Sequence, residues 1–190
     1  MSDNLQKDDF RNMLPEGERE YYDKLSESDK ELLEKEYPRV YLKDGALVSI
    51  PEDIYWQAKT VYWEARGTDE DTKEAIAWAI KNRRDAGRYG TTYKDVVTYR
   101  DHFSSKAKIM DDNLLRGELS KNDQERAAWE ESVKYAIESN ILIPTADPTH
   151  GATHFLTPKG MKRFPSWTKT LPEIDVKTVE DEIFRFWIEE

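Results

Sequence analysis

Apolar residues recur at helical spacing just after the first quarter of the chain. From residue 54 to residue 65 they stand at positions i, i+4, i+7, i+8 and i+11, which predicts an amphipathic helix ending at Gly67. A second helix is predicted from Asp71, because Asp71 and Glu74 have the spacing of a capping pair and a buried face follows. Gly87 predicts the end of this helix. The main region is therefore predicted to begin with two amphipathic helices.

The helical pattern continues, with one interruption, through the middle of the chain. Thr92 and the residues after it predict a short third helix, and a polar connection is expected over residues 104–122. Asp123 is then predicted to cap a longer helix. The apolar side of this helix consists of Trp129, Val133, Ala136 and Ile137.

The pattern changes after Pro144. Residues 154–156 follow a predicted turn at Gly151, and residues 183–187 lie near the end of the chain; both runs predict strands. The loop between them, residues 157–172, is rich in proline and tryptophan. Helices first and a small antiparallel sheet later predict an α+β fold that is mostly helical.

Residues 1–50 differ in composition from the rest of the chain. They hold thirteen acidic and eight basic residues, which is half of the net charge of −10. Two short amphipathic helices are predicted there, the second ending at Pro38. Asp44-Gly45 between apolar runs predicts a hairpin turn. We interpret this segment as an acidic arm or cap, either solvated or binding, on a main domain of residues 51–190.

Composition excludes several function classes. An acidic chain lacks the basic stripe that phosphate binding requires, so no nucleic-acid partner is predicted. The chain has no cysteine, which excludes disulfides, thiol catalysis and cysteine-ligated zinc. Aromatic residues make up 12% of the chain, more than a disordered acidic segment contains, so most of the chain is expected to fold.

The chain shows neither a secretion signal nor a membrane segment. No apolar run approaches the roughly 18 residues that a membrane-spanning helix needs, and acidic residues are scattered through the first thirty positions. We therefore expect synthesis in the cytoplasm without a signal peptide, and no membrane insertion. The sequence predicts no particular oligomeric state.

Glu64 is the first candidate for chemistry. On a helical wheel it lies at the flank of the apolar stripe, beside Gln57 and Thr60, and Tyr62 is close in sequence. Burial at such a position raises the pKa of a carboxyl group, which a general acid requires near neutral pH. A glutamate at the edge of an amphipathic helix is more often a surface residue, and the spacing alone leaves both interpretations open.

The run Val-Tyr-Trp-Glu-Ala-Arg-Gly, residues 61–67, resembles the signature of the SleB-like cell-wall hydrolases, which is usually written with Tyr-Gly-Glu-Ala-Arg-Gly. Further stretches resemble this family of spore-cortex-lytic enzymes in the same order along the chain. They are residues 74–83 ending in Asn-Arg, 93–99, 102–104 and 147–155, with Trp167, Ile183 and Phe184 in the closing segment. The resemblance covers most of residues 54–187 and leaves residues 1–50 outside.

Three positions depart from the usual pattern of the family. Trp63 replaces the glycine before the glutamate, His102 replaces a glutamine, and Thr157 stands where an asparagine is common. A tryptophan beside the acid is expected to narrow or re-line the cleft. This departure affects the detail of substrate binding and leaves the acid in place.

The resemblance implies a lysozyme-like fold and cleavage of the β-1,4 bond between N-acetylmuramic acid and N-acetylglucosamine in the glycan strands of peptidoglycan. Glu64 would be the catalytic acid. In a lytic transglycosylase one carboxyl group serves both steps, with no metal or other cofactor. Hydrolysis would need a partner carboxylate, and Asp101 and Asp147 are candidates from their positions.

Candidate substrate-binding residues lie around these motifs. They are Tyr62, Trp63, Arg66, His102, Ser104, His154, Phe155 and Trp167. The aromatic faces among them suit the C–H surfaces of pyranose rings, although core packing is an equally open role for each. A small basic cluster at residues 159–163 is either a contact for peptidoglycan carboxylates or a solvated loop.

Two other functions stay open. His150 and His154 have the four-residue spacing of a zinc pair, with His102 as a third ligand, which would suggest a metal-dependent amidase. This spacing aligns ligands on a helix rather than on a strand entered from a turn, so no metal site is predicted.

The second open function is that of a non-catalytic wall-binding or virion module. Without a signal peptide, the chain also suits a phage-encoded lysin.

Overall fold

The computed structural model describes residues 23–24, 26–28, 30, 39–41, 47–100, 103–142, 144–159, 161–179 and 184–189. Most of the predicted N-terminal helices and the Asp44-Gly45 turn lie outside these residues. Two short strands, β1 (Arg39–Tyr41) and β2 (Leu47–Ser49), pair antiparallel, with Arg39 opposite Ser49. The antiparallel pairing has the geometry that a hairpin requires, and the predicted turn itself stays a prediction.

Two long helices follow β2 in the continuously described part of the chain. α1 (Glu52–Ala65) begins with two acidic residues, which interact favourably with the helix dipole. α2 (Glu70–Asp85) is capped by Asp69, whose carboxylate accepts the Thr72 N–H at 2.9 Å. The predicted cap at Asp71 is therefore wrong, because it is Asp69 that reaches a free N–H group of the first turn.

Three short helices follow. α3 (Tyr93–Thr98) begins at the predicted place, with Thr92 forming a capping box. The region predicted to be a polar connection contains α4 (Lys106–Ile109) and α5 (Asp112–Leu119). That prediction is wrong, because Ile109 and two leucines of α5 are buried and hold these short helices against the core.

α6 (Asp123–Ile141) is the longest helix of the described residues. Its cap is Asn122 rather than Asp123, since the Asn122 side chain accepts the Glu125 N–H at 2.9 Å. Three of the four residues predicted to line its buried side are buried, whereas Ile137 is 36% exposed. The observed bounds of α6 and most of its buried side thus agree with the prediction.

The core lies between α1, α2 and α6. Trp129 of α6 packs edge-on against Tyr55 and Tyr62 of α1, with ring centroids 5.9 and 6.0 Å apart. Gln57, on the inner face of α1, donates to a carbonyl of α2 at 2.8 Å. These contacts fix the orientation of α1, whose last turn carries Glu64.

A small antiparallel sheet completes the fold. It consists of β3 (His154–Leu156), β4 (Glu173–Ile174) and β5 (Arg185–Trp187), with β5 in the centre. β3 packs against α2. Both predicted strand runs contain a strand, although Ile183 lies outside the described residues, and the two-residue β4 has no sequence signal of its own. The α+β fold, mostly helical with a small antiparallel sheet, is confirmed.

The connections contain two short 3-10 helices, Pro144–Ala146 and Ser166–Lys169. Gly87 follows α2 with φ +68°, a left-handed conformation that suits glycine, so the predicted helix end is confirmed. Within the described part of the chain, no helix has both the length and the apolar character needed to cross a bilayer.

Candidate active site

An open cavity of about 420 Å³ lies between the last turn of α1 and the sheet. Its wall combines the ends of α1 and α2, the segment before α4, β3 and the loop after β3, and most of its side chains are aromatic or apolar. They are Glu64, Arg83, Phe103, Ser104, His154, Phe155, Leu156, Thr157, Met161, Pro165, Trp167 and Phe184. An apolar wall with a few polar groups is typical of a ligand-binding cleft.

Glu64 is held at the cavity by the segment that leads into α4. Its Oε1 atom accepts the backbone N–H of Ser105 at 3.2 Å. The Ser105 hydroxyl donates to the Trp63 carbonyl at 3.4 Å, a second link between this segment and the last turn of α1. The segment before α4 thus orients the Glu64 carboxyl group, which also lines the cavity.

Burial raises the pKa of Glu64 above its ordinary value of 4.5. Hydrogen bonds from Ser105 and Ser104 and the charge of Lys108 oppose this effect without cancelling it. A raised pKa means that a larger fraction of the carboxyl groups keeps its proton near neutral pH. Glu64 therefore has the property that a general acid needs.

Asp147, the candidate second carboxylate, has a structural role. One of its oxygens accepts both the N–H and the hydroxyl of Thr149, at 2.8 and 2.6 Å. The other accepts the side-chain amide of Asn82 and the N–H of Gly151, each at 2.8 Å. Asp147 thereby ties the turn before β3 to α2, and it does not line the cavity.

Aromatic rings form the side of the cavity nearest the sheet. The His154 ring lies 5.0 Å from that of Trp167, which packs edge-on against Trp187 at 5.1 Å. Phe155 packs against Phe103 at 6.1 Å. Because these rings are held by one another, they present fixed faces on which a sugar ring can stack.

Three predicted substrate-binding residues point away from the cavity, two on other faces of α1 and one, Arg66, directly after its last residue. Tyr62 is fully buried, and its hydroxyl donates to Glu125 at 2.5 Å. Arg66 forms an ion pair with a glutamate of α5 at 3.3 Å and lies 4.9 Å from the ring of the buried Trp63. Successive residues of a helix are turned by about 100°, so the sequence neighbours of Glu64 face the core and α5 instead of the cavity. Trp63 accordingly does not re-line the cleft.

The cavity brings together five of the predicted site residues, Glu64, Ser104, His154, Phe155 and Trp167. Tyr62, Trp63 and Arg66 are placed elsewhere, as described above. His102 and Asp101 lie outside the described residues.

The two histidines of the metal alternative differ in setting. His150 is exposed in a turn with φ +50°, whereas His154 is buried in β3 and lines the cavity. Among the residues that the structure describes, no group of three or more histidine, aspartate or glutamate side chains could hold a metal ion.

Arg83 lines the cavity from the last turn of α2 and is absent from the predicted site residues. It is 5% exposed, and its Nε–H donates to the Thr153 carbonyl at 2.8 Å. The sequence does contain a signal for it. Arg83 continues the helical stripe of Ile76, Ala79 and Ile80, which places a cation on the buried face of the helix.

Comparison with known families assigns the chain to one of them. The model of the Cell Wall Hydrolase family matches residues 67–185, and the chain belongs to this family. Glu64 lies just before the matched range. Among solved structures, the chain is similar to the catalytic domain of the germination-specific lytic transglycosylase SleB from Bacillus anthracis, at 24% identity over 71% of this chain and 93% of that chain, with a TM-score of 0.46. No curated protein matches the chain.

Proposed function

We propose that this cell wall hydrolase cleaves the β-1,4 bond between N-acetylmuramic acid and N-acetylglucosamine in peptidoglycan, as a lytic transglycosylase with Glu64 as its acid. The observation that carries the proposal is the setting of Glu64. It is the only carboxylate among the described residues that line the cavity, and burial raises its pKa. The SleB-like motif around Glu64 supports the same assignment.

In the first step the Glu64 carboxyl group donates its proton to the glycosidic oxygen while the bond from that oxygen to C1 of the muramic residue breaks. The N-acetylglucosamine part leaves with a free hydroxyl group, and positive charge develops at C1 and the ring oxygen. The raised pKa of Glu64 favours the protonated form that this step requires.

In the second step the Glu64 carboxylate accepts the proton of the C6 hydroxyl group of the same muramic residue while O6 bonds to C1. The product carries a 1,6-anhydro ring, no water is consumed, and Glu64 returns to its protonated form. One carboxyl group thus acts first as the acid and then as the base.

Hydrolysis would require a second carboxylate that activates water or attacks C1. Asp147 does not suit this role, because both of its oxygens accept hydrogen bonds within the turn and from α2. Asp101 lies outside the described residues. The single carboxylate in the described wall of the cavity therefore favours transglycosylation.

We further propose that residues 51–190 form the catalytic domain and residues 1–50 an acidic arm. The family match over residues 67–185 lies entirely within the first of these segments. Delivery to the cell wall by a phage or a virion stays a prediction.

Digestion of purified sacculi tests the proposed activity, with the full-length wild type compared with Glu64→Gln. Glutamine keeps the shape and can accept the Ser105 N–H, but it has no acidic proton. We expect the release of soluble fragments to fall at least about a hundredfold in Glu64→Gln. Glu52→Gln, an exposed change at the other end of α1, is the matched control and should leave lysis unchanged.

Mass analysis of the released muropeptides tests the mechanism. Anhydro ends support the transglycosylase, and reducing ends would show a hydrolase. Full lysis by Glu64→Gln would end the assignment of the acid. Loss of lysis on chelation, with His150→Ala more damaging than Glu64→Gln, would indicate the metal-dependent amidase. Binding of sacculi by the wild type without any release of fragments would indicate a non-catalytic wall-binding module.

A further inference from the structure

Arg83 is a buried cation in the wall of the cavity that also contains Glu64. Its guanidinium carbon lies 5.2 Å from the ring centroid of Tyr89 and 5.3 Å from that of Phe103, and its Nε–H donates to the Thr153 carbonyl. Burial lowers its pKa to about 10, so the group is still charged at neutral pH. The wall of the cavity therefore contains a charged guanidinium group that the Thr153 carbonyl and two aromatic rings keep in place.

This cation forms no ion pair with any residue that the structure describes. The hydrogen bond to Thr153 uses Nε and leaves the two terminal Nη groups without an acceptor among those residues. The next residue, Arg84, is different: it binds Asp85 through Nε and Nη2 at 2.9 and 2.7 Å, and Asn140 through Nη1 at 2.9 Å. A buried charge without a partner is costly, so the Nη groups of Arg83 are suited to bind an anion.

Glu64 and Arg83 both line the cavity, but neither affects the pKa of the other. Burial raises the pKa of Glu64, and the groups that oppose it are two serines and Lys108. Glu189 is the carboxylate that acts on the charge of Arg83, and it is already paired with Arg88 at 3.2 Å. The guanidinium of Arg83 is thus not neutralised by Glu64 and is available to a substrate group.

We propose that Arg83 is a specificity-determining residue that binds a carboxylate carried by the muramic residue at the cleavage site. The inference rests on the proposed function. The muramic residue carries a lactyl group on O3, which ends in a free carboxylate or continues into a stem peptide with its own carboxylates. A guanidinium fork binds a planar carboxylate through two parallel hydrogen bonds.

This contact would set the register of the glycan strand in the cleft. N-acetylglucosamine has no acidic substituent, so only one of the two alternating sugars can satisfy Arg83. Placing that sugar beside Arg83 would put a muramic residue in the same cavity as Glu64, and the second step of the reaction requires a muramic residue there. A neutral chitin-like polymer would lack the contact altogether.

The overall charge of the protein cannot produce such a preference. The net charge of −10 repels an anionic strand, so tighter binding of an acidic strand than of a neutral one needs a local cation. Arg83 is the cation that lines the cavity within the described residues.

Equilibrium binding to full-length Glu64→Gln, which binds without turnover, tests the inference. The probes are glycan strands stripped of stem peptides, the same strands with their lactyl carboxyls converted to methylamides, strands with intact stems, and chito-oligosaccharides of equal length. We expect an acidic strand to bind about ten- to a hundredfold more tightly than the methylamide strand. Adding Arg83→Met should remove this difference, and Arg83→Lys should keep part of it.

Arg116→Met in the same background removes one exposed positive charge outside the cavity and should preserve the preference. The two acidic probes distinguish the source of the carboxylate. If Arg83→Met weakens binding of the stripped strands, the lactyl group supplies the carboxylate. If it weakens binding only of strands with intact stems, the stem peptide supplies it. Dependence in either case supports the inference.

Two results would overturn the inference alone. One is that Glu64→Gln binds the stripped acidic strands, the methylamide strands and the strands with intact stems equally tightly. This comparison needs no change at Arg83, so it is valid even if Arg83→Met does not fold. The other is a folded Arg83→Met variant that keeps the preference. Failure of every glycan strand to bind would instead contradict the proposed function, and the inference would fall with it.

Discussion

Glu64 and Asp147 are both carboxylates withdrawn from solvent, and they differ in what surrounds their oxygen atoms. Asp147 accepts four hydrogen bonds, two on each oxygen, from groups within its own turn and from Asn82 of α2. Glu64 accepts the backbone N–H of Ser105 at 3.2 Å and is influenced by the hydroxyls of Ser104 and Ser105, and it faces an open cavity. Withdrawal from solvent therefore does not identify a reactive carboxyl group; access to the cavity is the more informative property, and Glu64 has it while Asp147 does not.

Asp147→Asn should have the largest effect on stability. An amide offers one acceptor oxygen, so its NH₂ group would face donors that now bind a carboxylate, and we expect a loss of about 2–4 kcal/mol in the free energy of unfolding. Denaturant titration measures this loss. Turnover per folded molecule should stay within about threefold of the wild type. A fully stable Asp147→Asn protein without lytic activity would reverse the roles given to the two carboxylates.

Glu64→Gln should change stability in the opposite direction. Because burial raises the folded-state pKa of Glu64, its ionisation disfavours the folded state. Below the ordinary pKa both states are protonated and the two proteins should be equally stable. As the pH rises through the raised pKa, the wild type loses stability that glutamine keeps, so the melting temperature of the variant should exceed that of the wild type.

Thermal unfolding of both proteins across the acidic to neutral range measures this difference. A melting-temperature difference that stays constant with pH would contradict the raised pKa of Glu64. Glu52→Gln, at the exposed start of α1, is the control for a simple loss of negative charge.

Tyr62→Phe should have a moderate effect on stability and almost none on catalysis. The change removes a hydroxyl group that donates to Glu125 at 2.5 Å, while the Arg66–Glu125 ion pair at 3.4 Å remains. We expect a loss of about 1 kcal/mol in the free energy of unfolding and turnover within about twofold. Unchanged stability with a large loss of turnover would instead place Tyr62 in the path of the substrate.

Lys108→Met should have the smallest effect, visible only in the pH dependence of the rate. The Lys108 charge lowers the pKa of Glu64, so its removal lets Glu64 keep its proton to a higher pH. Since the protonated form is the active acid, the alkaline limb of the pH–rate profile should move to higher pH. The shift should shrink at high salt, because Lys108 is exposed. A shift toward lower pH would contradict the role of Glu64 as the acid.

Helix positions were largely predictable, and short elements were not. The stripe before Gly67 and the capping residue Thr92 each correspond to an observed helix. α4 and α5 were missed because four or eight residues in a highly charged segment give too few apolar positions to define a period. Their stability depends on burying Ile109 and two leucines against the core, which sequence spacing does not reveal.

The candidate site was predictable only in part, for a geometric reason. Sequence proximity to Glu64 suggested that Tyr62, Trp63 and Arg66 line the cleft, but rotation along the helix places them on other faces. Arg83 is distant in sequence and reaches the cavity because β3 packs against α2. Membership of one motif thus does not imply membership of one site.

The amino-acid sequence by itself determined the helical periodicity, the α+β class, the family resemblance and the choice of Glu64, because each depends on residue type and local spacing. Only the tertiary structure decided which side chains surround that acid. The packing of α1 against α2 and α6, with the sheet on α2, withdraws Glu64 from water and places Arg83 in the same cavity. Burial and long-range contact are properties of the packed chain, and they control the pKa of the acid and the charge of its surroundings.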